Sequence, residues 1–146
     1  MITNDRQFRI SKAQLGKLRD GATAFDLAEA TARIGSQVLA KAELEALKSQ
    51  IDEIAEDIRE YEALRSGSVS VLKAEGLEEL PRILIKARIA RGLSQRDLAE
   101  KLGLKEQQIQ RYESEEYATA NLRRLGEIAA ALNLNVSEEA ELYTPS

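Results

Sequence analysis

Eighteen residues, Gln95 to Tyr112, carry the spacing of two short helices joined by a tight turn. Counted from Gln95, the fourth, fifth, eighth, ninth, tenth, fifteenth and eighteenth positions hold Leu98, Ala99, Leu102, Gly103, Leu104, Ile109 and Tyr112. Leu98 and Leu102 lie four apart and share one helical face. Ala99 is small where two helices must cross closely. Gly103 can take the left-handed conformation that ends the first helix, and Leu104 plugs the turn into the core. Ile109 and Tyr112, three apart, anchor the second helix and leave Glu106, Gln107, Gln110 and Arg111 facing outward.

Two short helices at a steep angle, the second one polar, suit a DNA major groove. The segment from about Leu80 to Leu134 resembles the XRE/Cro/C1-type helix-turn-helix domain of phage repressors and bacterial regulators. The residues that carry the resemblance include Arg88, Gly92-Leu93-Ser94-Gln95, Leu98-Ala99, Leu102-Gly103, Ile109, Tyr112-Glu113, Leu125, Ile128-Ala129 and Ala131-Leu132. It covers a little over a third of the chain. It implies a λ-repressor-like helical bundle whose second short helix reads base edges through Glu106, Gln107, Gln110 and Arg111, with Lys105 and Gln108 beside them. Gln pairs bidentately with adenine, Arg with guanine, and Glu accepts from cytosine. Gln95 resembles the family glutamine that contacts a phosphate, and Arg88 and Glu113 match positions that form a buried ion pair. One departure follows Tyr112-Glu113, where the family usually has a glycine, basic residues and then a proline. Here Ser114-Glu115-Glu116-Tyr117-Ala118-Thr119-Ala120 places two glutamates instead. The departure implies either a weaker backbone contact than in the family or one provided by Asn121, Arg123 and Arg124.

The net charge of −4 argues at first against a nucleic-acid partner. Its distribution changes that. Residues 1–79 hold eleven basic and fifteen acidic side chains, residues 80–135 hold ten and seven, and residues 136–146 hold three glutamates and no basic residue. The positive segment is the helix-turn-helix segment, and its excess is modest, so phosphate affinity per subunit should be modest too.

With no cysteine and no histidine, the chain forms no disulfide, no thiolate or imidazole metal site and no triad with a histidine base. The carboxylates between Glu43 and Glu62 lie on the polar side of an amphipathic helix and do not converge on a pocket. No phosphate-cradling glycine loop is present, and the scattered aromatics make no stacking platform. No enzyme activity, metal or cofactor is expected. The start, Met1 to Arg6, lacks the apolar core of a signal peptide, and no apolar run spans a membrane. A cytoplasmic protein without membrane contact is expected.

An all-α fold is expected, with the helix-turn-helix bundle preceded by a coiled-coil-like helical extension. The first ten residues read as poorly structured, with an extended piece at Gln7 to Ile10. Ser11 reads as the cap of a helix that Asp20-Gly21 interrupts before helical composition resumes to Ile34. Ala40, Leu44, Leu47, Ile51, Ile54, Ile58 and Tyr61 then alternate steps of four and three, a coiled-coil seam. The seam can pack on the Lys12–Ile34 segment or on a second subunit. The expected domains are 1–66, a helical dimerisation or partner-binding region; 67–79, a linker with Val69-Ser70-Val71-Leu72 as a short strand or extended coil; 80–135, the DNA-binding domain; and 136–146, an acidic tail. Ile85 and Ile89 read as a second contact face, toward the N-terminal helices or a partner subunit.

Three functions fit. The first is a sequence-specific double-stranded DNA-binding regulator, a repressor acting as a homodimer. The second is an autorepressing antitoxin that also binds a toxin protein, since Ile58-Arg59-Glu60-Tyr61-Glu62 ahead of a helix-turn-helix is loosely similar to HigA-type antitoxins. The third is an interaction module that has lost DNA binding.

Overall fold

The computed structural model describes residues 1–145 and divides into two compact units, Met1–Val69 and the chain from Ser70 onward. The described residues are helical and contain no strand, so the all-α expectation holds. Val69-Ser70-Val71-Leu72 is unpaired coil. Among the described residues no helix is long and apolar enough to cross a membrane.

The first unit is built from three helices, α1 (Asp5–Thr23), α2 (Leu27–Ile34) and α3 (Gln37–Arg65). Contrary to the sequence expectation, the first ten residues are not loose and Ser11 caps nothing. Asn4 is the cap: its side chain accepts from the Gln7 N–H at 2.8 Å, while the Thr3 N–H and hydroxyl donate back to Gln7 Oε1 at 2.8 and 3.0 Å. Two orphan donors are satisfied reciprocally, and Asp5 adds an acidic first turn. Nor does Asp20-Gly21 break the helix. Both residues are exposed, and Leu15, Leu18 and Ala22 keep α1 seated on its apolar face. The break falls at Ala24 to Asp26, where the Asp26 carboxylate accepts from the Ala28 and Glu29 N–H groups and starts α2. Gly35 ends α2 at φ 83°, a left-handed position that favours glycine. Ser36 then caps α3.

α1 and α2 both pack on α3, so the seam is covered within the chain. Cover is uneven. Ala40, Ile58 and Tyr61 are buried, as are Ala55 and Leu64, whereas Leu44, Leu47, Ile51 and Ile54 are only half-buried. Full burial of an Ile or Leu contributes about 1.5–3 kcal/mol, so the Ile58 end of the seam is the stronger anchor. Phe8 lies against Tyr61 with ring centroids 5.0 Å apart. The Tyr61 hydroxyl donates to Asp5 Oδ1 at 2.9 Å, and Arg65 pairs with the same carboxylate.

The second unit opens with a 3-10 turn at Leu77–Glu79 and continues as α4 (Leu80–Ala90), α5 (Gln95–Leu102), α6 (Glu106–Ser114) and α7 (Leu122–Ala131). Pro81 sits in the first turn of α4, where its missing N–H is harmless. Ser94 and Asp97 form a capping box on α5, with bonds of 3.0 and 2.9 Å. That box, mainly through the Ser94 hydrogen bonds, holds the Asp97 carboxyl below its ordinary pKa. Gly103 takes φ 67° and the Leu104 N–H returns to the Ala99 carbonyl at 2.8 Å, closing α5 with a tight turn. Asn121 caps α7. Leu84, Ile85, Leu98, Ile109, Ile128 and Leu132 are fully buried. Ile85 and Ile89 are covered in the single chain and need no second subunit for it.

Candidate nucleic-acid interface

The second helix of the pair, α6, is divided by burial. Ile109 is fully buried, Tyr112 is half-buried and Glu113 is buried. Lys105, Glu106, Gln107, Gln108, Gln110 and Arg111 are all exposed. Their local engagements differ. Gln108 caps its own helix, its Oε1 accepting from the Lys105 N–H at 2.9 Å. Gln110 donates weakly to Glu106 at 3.4 Å, and Arg111 donates to Glu115 at 3.3 Å. The Gln107 side chain forms no hydrogen bond among the described residues and is exposed.

Beneath that polar face lies a buried ionic network. Arg88 of α4 donates to both oxygens of Glu113, Nε to Oε2 and Nη2 to Oε1, each at 2.7 Å. Its third nitrogen reaches the Leu93 carbonyl at 2.8 Å, in the turn that leads into α5. The side chains are 3% and 2% exposed. A bidentate guanidinium–carboxylate pair with its remaining donors satisfied is the geometry in which burial of two charges is tolerable. One guanidinium thus ties α4, the turn before α5 and the end of α6 together.

Gln95 requires a correction. Its side chain resembles a phosphate contact in sequence, but here it is buried and Nε2 donates to Glu113 Oε1 at 3.1 Å. It completes the ionic network, because a carboxylate in a dry site with an unfilled lone pair would be costly. Only the backbone N–H groups at the start of α5 are left to meet an anion from this position.

Arg123 is exposed at the start of α7, and Arg124 donates to Glu127 at 2.9 Å. Glu115 accepts from Arg111 and from the Thr119 hydroxyl, and Glu116 accepts from Arg82 at 3.2 and 3.3 Å. The departure noted in the loop after α6 is therefore a set of internal ion pairs.

Two residues escaped the sequence reading. Tyr117, with φ 57° beside Glu116 at φ 49°, folds back to stack on Tyr112 with centroids 5.4 Å apart. It is buried, its hydroxyl has no partner among the described residues, and burial, with the negative charge of Glu113, raises its pKa. Arg91, the residue that follows α4, donates to the carbonyls of Leu132 and Asn133 at 2.9 and 2.8 Å, closing the C-terminal end of α7. The Arg-to-carbonyl pairing has no local sequence signal, and neither do two successive left-handed residues without glycine.

The arrangement of α5, its glycine turn and an outward polar α6 is matched by comparison: residues 84–138 fit the helix-turn-helix family. This segment is an XRE-type helix-turn-helix domain. No curated protein and no solved structure matches the chain. The helix-turn-helix domain ties this protein to DNA binding and transcriptional regulation, a family that is not one of enzymes. The matched span begins at Leu84 inside α4 and takes in Arg88, Gln95 and Glu113, the residues of the buried network.

Proposed function

We propose that the protein is a sequence-specific repressor that binds double-stranded DNA as a homodimer. The observation that carries the reading is the division of α6. Ile109, Tyr112 and the Arg88-bound Glu113 pin one face inward, which leaves Gln107 and Arg111, four apart, together on the opposite face. Gln offers bidentate pairing to adenine and Arg to guanine. Lys105, Arg123 and Arg124, with the first backbone amides of α5, supply phosphate contacts that position the helix without reading sequence. Glu106, Gln108 and Gln110 flank the reading pair. Two copies place two such helices in successive major grooves, about 34 Å apart, and repression follows from occupancy of the promoter.

The test is selection of binding sites from a random duplex pool with the purified protein. A two-fold-symmetric consensus whose half-sites lie one helical turn apart is expected. Recovery of a pool with no consensus would leave only sequence-independent binding and would sink the reading.

A further inference from the structure

Within the first unit, α1 and one stretch of α3 carry opposite excess charge. α1 carries Arg6, Arg9, Lys12, Lys17 and Arg19 against only Asp5 and Asp20. The stretch of α3 from Asp52 to Glu62 carries Asp52, Glu53, Glu56, Asp57, Glu60 and Glu62 against Arg59 alone. The two helices pack together, yet all five α1 cations are exposed and none forms an ion pair among the described residues. An ion pair that does join the two helices, Asp5 with Arg65, has the reverse polarity. Asp52 and Glu53, also exposed, form none either.

The apolar surface is incomplete in the same unit. Three helices in this arrangement leave Leu44, Leu47, Ile51 and Ile54 half-covered. Beyond them Ile10, Val38 and Leu39 are 56%, 77% and 58% exposed. Ala42 and Ala46, exposed at steps of three and four from Leu39, continue that face along α3. A unit of this size buries too little surface to leave such residues in water without consequence.

We propose that the first unit is the dimerisation surface, and that α1 of each copy lies along the acidic stretch of the partner subunit's α3. A second copy is the occupant that the charges select. One unit carries both halves of the complement in separate stripes, so a two-fold axis that satisfies one contact satisfies its twin. The charge stripes set register and encounter rate, and the exposed aliphatic residues supply the area that leaves water. A DNA duplex is the poorer occupant for the α1 cations, because the same unit carries an excess of carboxylates, Asp52 and Glu53 among them, that repel phosphate.

The inference rests on the homodimer reading above but not on DNA binding, so its test reads mass. The full chain is sedimented at low and high salt, then compared with Arg9→Glu/Lys17→Glu and with Asp52→Lys/Glu53→Lys. A wild-type dimer weakened by salt is expected. Each charge-reversed chain should sediment as a monomer with unchanged helicity, and an equal mixture of the two should recover dimers, because each then meets its complement. A wild-type monomer overturns the proposal, including the case in which Arg9→Glu/Lys17→Glu instead weakens DNA binding. A wild-type dimer that both reversed chains retain overturns this surface while leaving a homodimer joined elsewhere. Monomers that fail to pair on mixing overturn the charge complement. If either reversed chain loses helicity, Arg9→Gln/Lys17→Gln and Asp52→Asn/Glu53→Gln replace them. Each should weaken dimerisation about tenfold, and an unchanged dimer constant overturns the proposal.

Discussion

Arg88 and Glu113, twenty-five residues apart, meet through two parallel 2.7 Å hydrogen bonds in a site almost closed to water. The pair holds the end of α6 against α4, and Gln95 adds a bond from the start of α5. Position of α6 and stability of the bundle are therefore one property of one carboxylate.

Removing that carboxylate leaves a buried guanidinium with its main partner gone. Glu113→Ala should cost about 3–5 kcal/mol. Gln95→Ala removes a single hydrogen bond to the same group and should cost about 1–3 kcal/mol. Thermal melts of both are compared with Glu100→Ala, which touches only an exposed pair with Arg96. A Glu113→Ala midpoint no lower than the Glu100→Ala control would show that the buried pair does not hold the domain.

Tyr117 makes the fold sensitive to alkali. Its folded pKa is raised above the ordinary 10.0, chiefly by burial. Below pH 10 both folded and unfolded chains keep the phenolic proton. Above it the unfolded chain releases its proton while the folded chain holds on, so the folded state binds more protons and stability falls as pH rises. Tyr61, raised by burial and by its bond to Asp5, acts in the same direction in the first unit. Tyr117→Phe removes a hydroxyl without a partner and keeps the ring stacked on Tyr112. At neutral pH it should be neutral or stabilising by up to about 1 kcal/mol. Between pH 10 and 12 it should lose less stability than the wild type. Chemical denaturation of both chains at pH 7 and pH 11 gives the comparison, and an equal loss in both would remove Tyr117 from the account.

The legible parts of this fold are those with local causes. Gly103 is readable because a tight left-handed turn needs glycine, and Ser94 with Asp97 because a capping box spans four residues. Leu98 with Leu102, and Ile109 with Tyr112, are readable because steps of four and three keep each pair on one helical face. Asn4 has an equally local signal, an acceptor three residues before the Gln7 N–H, but it lies within the ten residues whose composition reads as poorly structured. Gly21 misled because a glycine in a helix costs only about 1 kcal/mol, less than Leu15, Leu18 and Ala22 recover. Gln95, Arg91 and Tyr117 were not legible at all. Gln95 and Arg91 are fixed by partners far along the chain, Glu113 and the Leu132 carbonyl, and Tyr117 by a left-handed backbone that stacks it on Tyr112 without a glycine to announce it. Periodicity says which face is apolar but not which polar side chain will turn inward to satisfy a buried charge.

The seam of α3 should be unequal in energy along its length. Ile58 is buried, and Ile51 is half-covered by its own chain. Truncation of a buried isoleucine costs about 2–5 kcal/mol, part of it from the cavity left behind. Ile58→Ala should therefore lower the stability of the first unit by at least twice as much as Ile51→Ala when both are measured at low protein concentration. Equal losses would mean that the middle of the seam is as well buried as its end. A loss for Ile51→Ala that grows with protein concentration would locate Ile51 in a contact between copies.

Specificity and affinity should separate on α6 and α7. Gln107 and Arg111 share the outward face, and Arg111 must give up its 3.3 Å contact with Glu115 to reach a base. That contact is exposed, and a pair of this kind contributes about 0.2–1 kcal/mol, less than a bidentate base contact returns. Gln107→Ala and Arg111→Ala are each expected to weaken the selected site by about 1–3 kcal/mol and to relax preference at one base pair. Arg123→Ala should weaken all duplexes nearly equally and make binding less dependent on salt, since a phosphate contact positions without specifying. Gln95→Ala should follow neither pattern, because its side chain is spent on Glu113: any loss of DNA binding should track loss of folded protein. Binding-site selection with each variant, repeated at two salt concentrations, distinguishes these outcomes. An unchanged consensus for both Gln107→Ala and Arg111→Ala would show that α6 does not read the groove, and a relaxed consensus for Arg123→Ala would move part of the reading to α7.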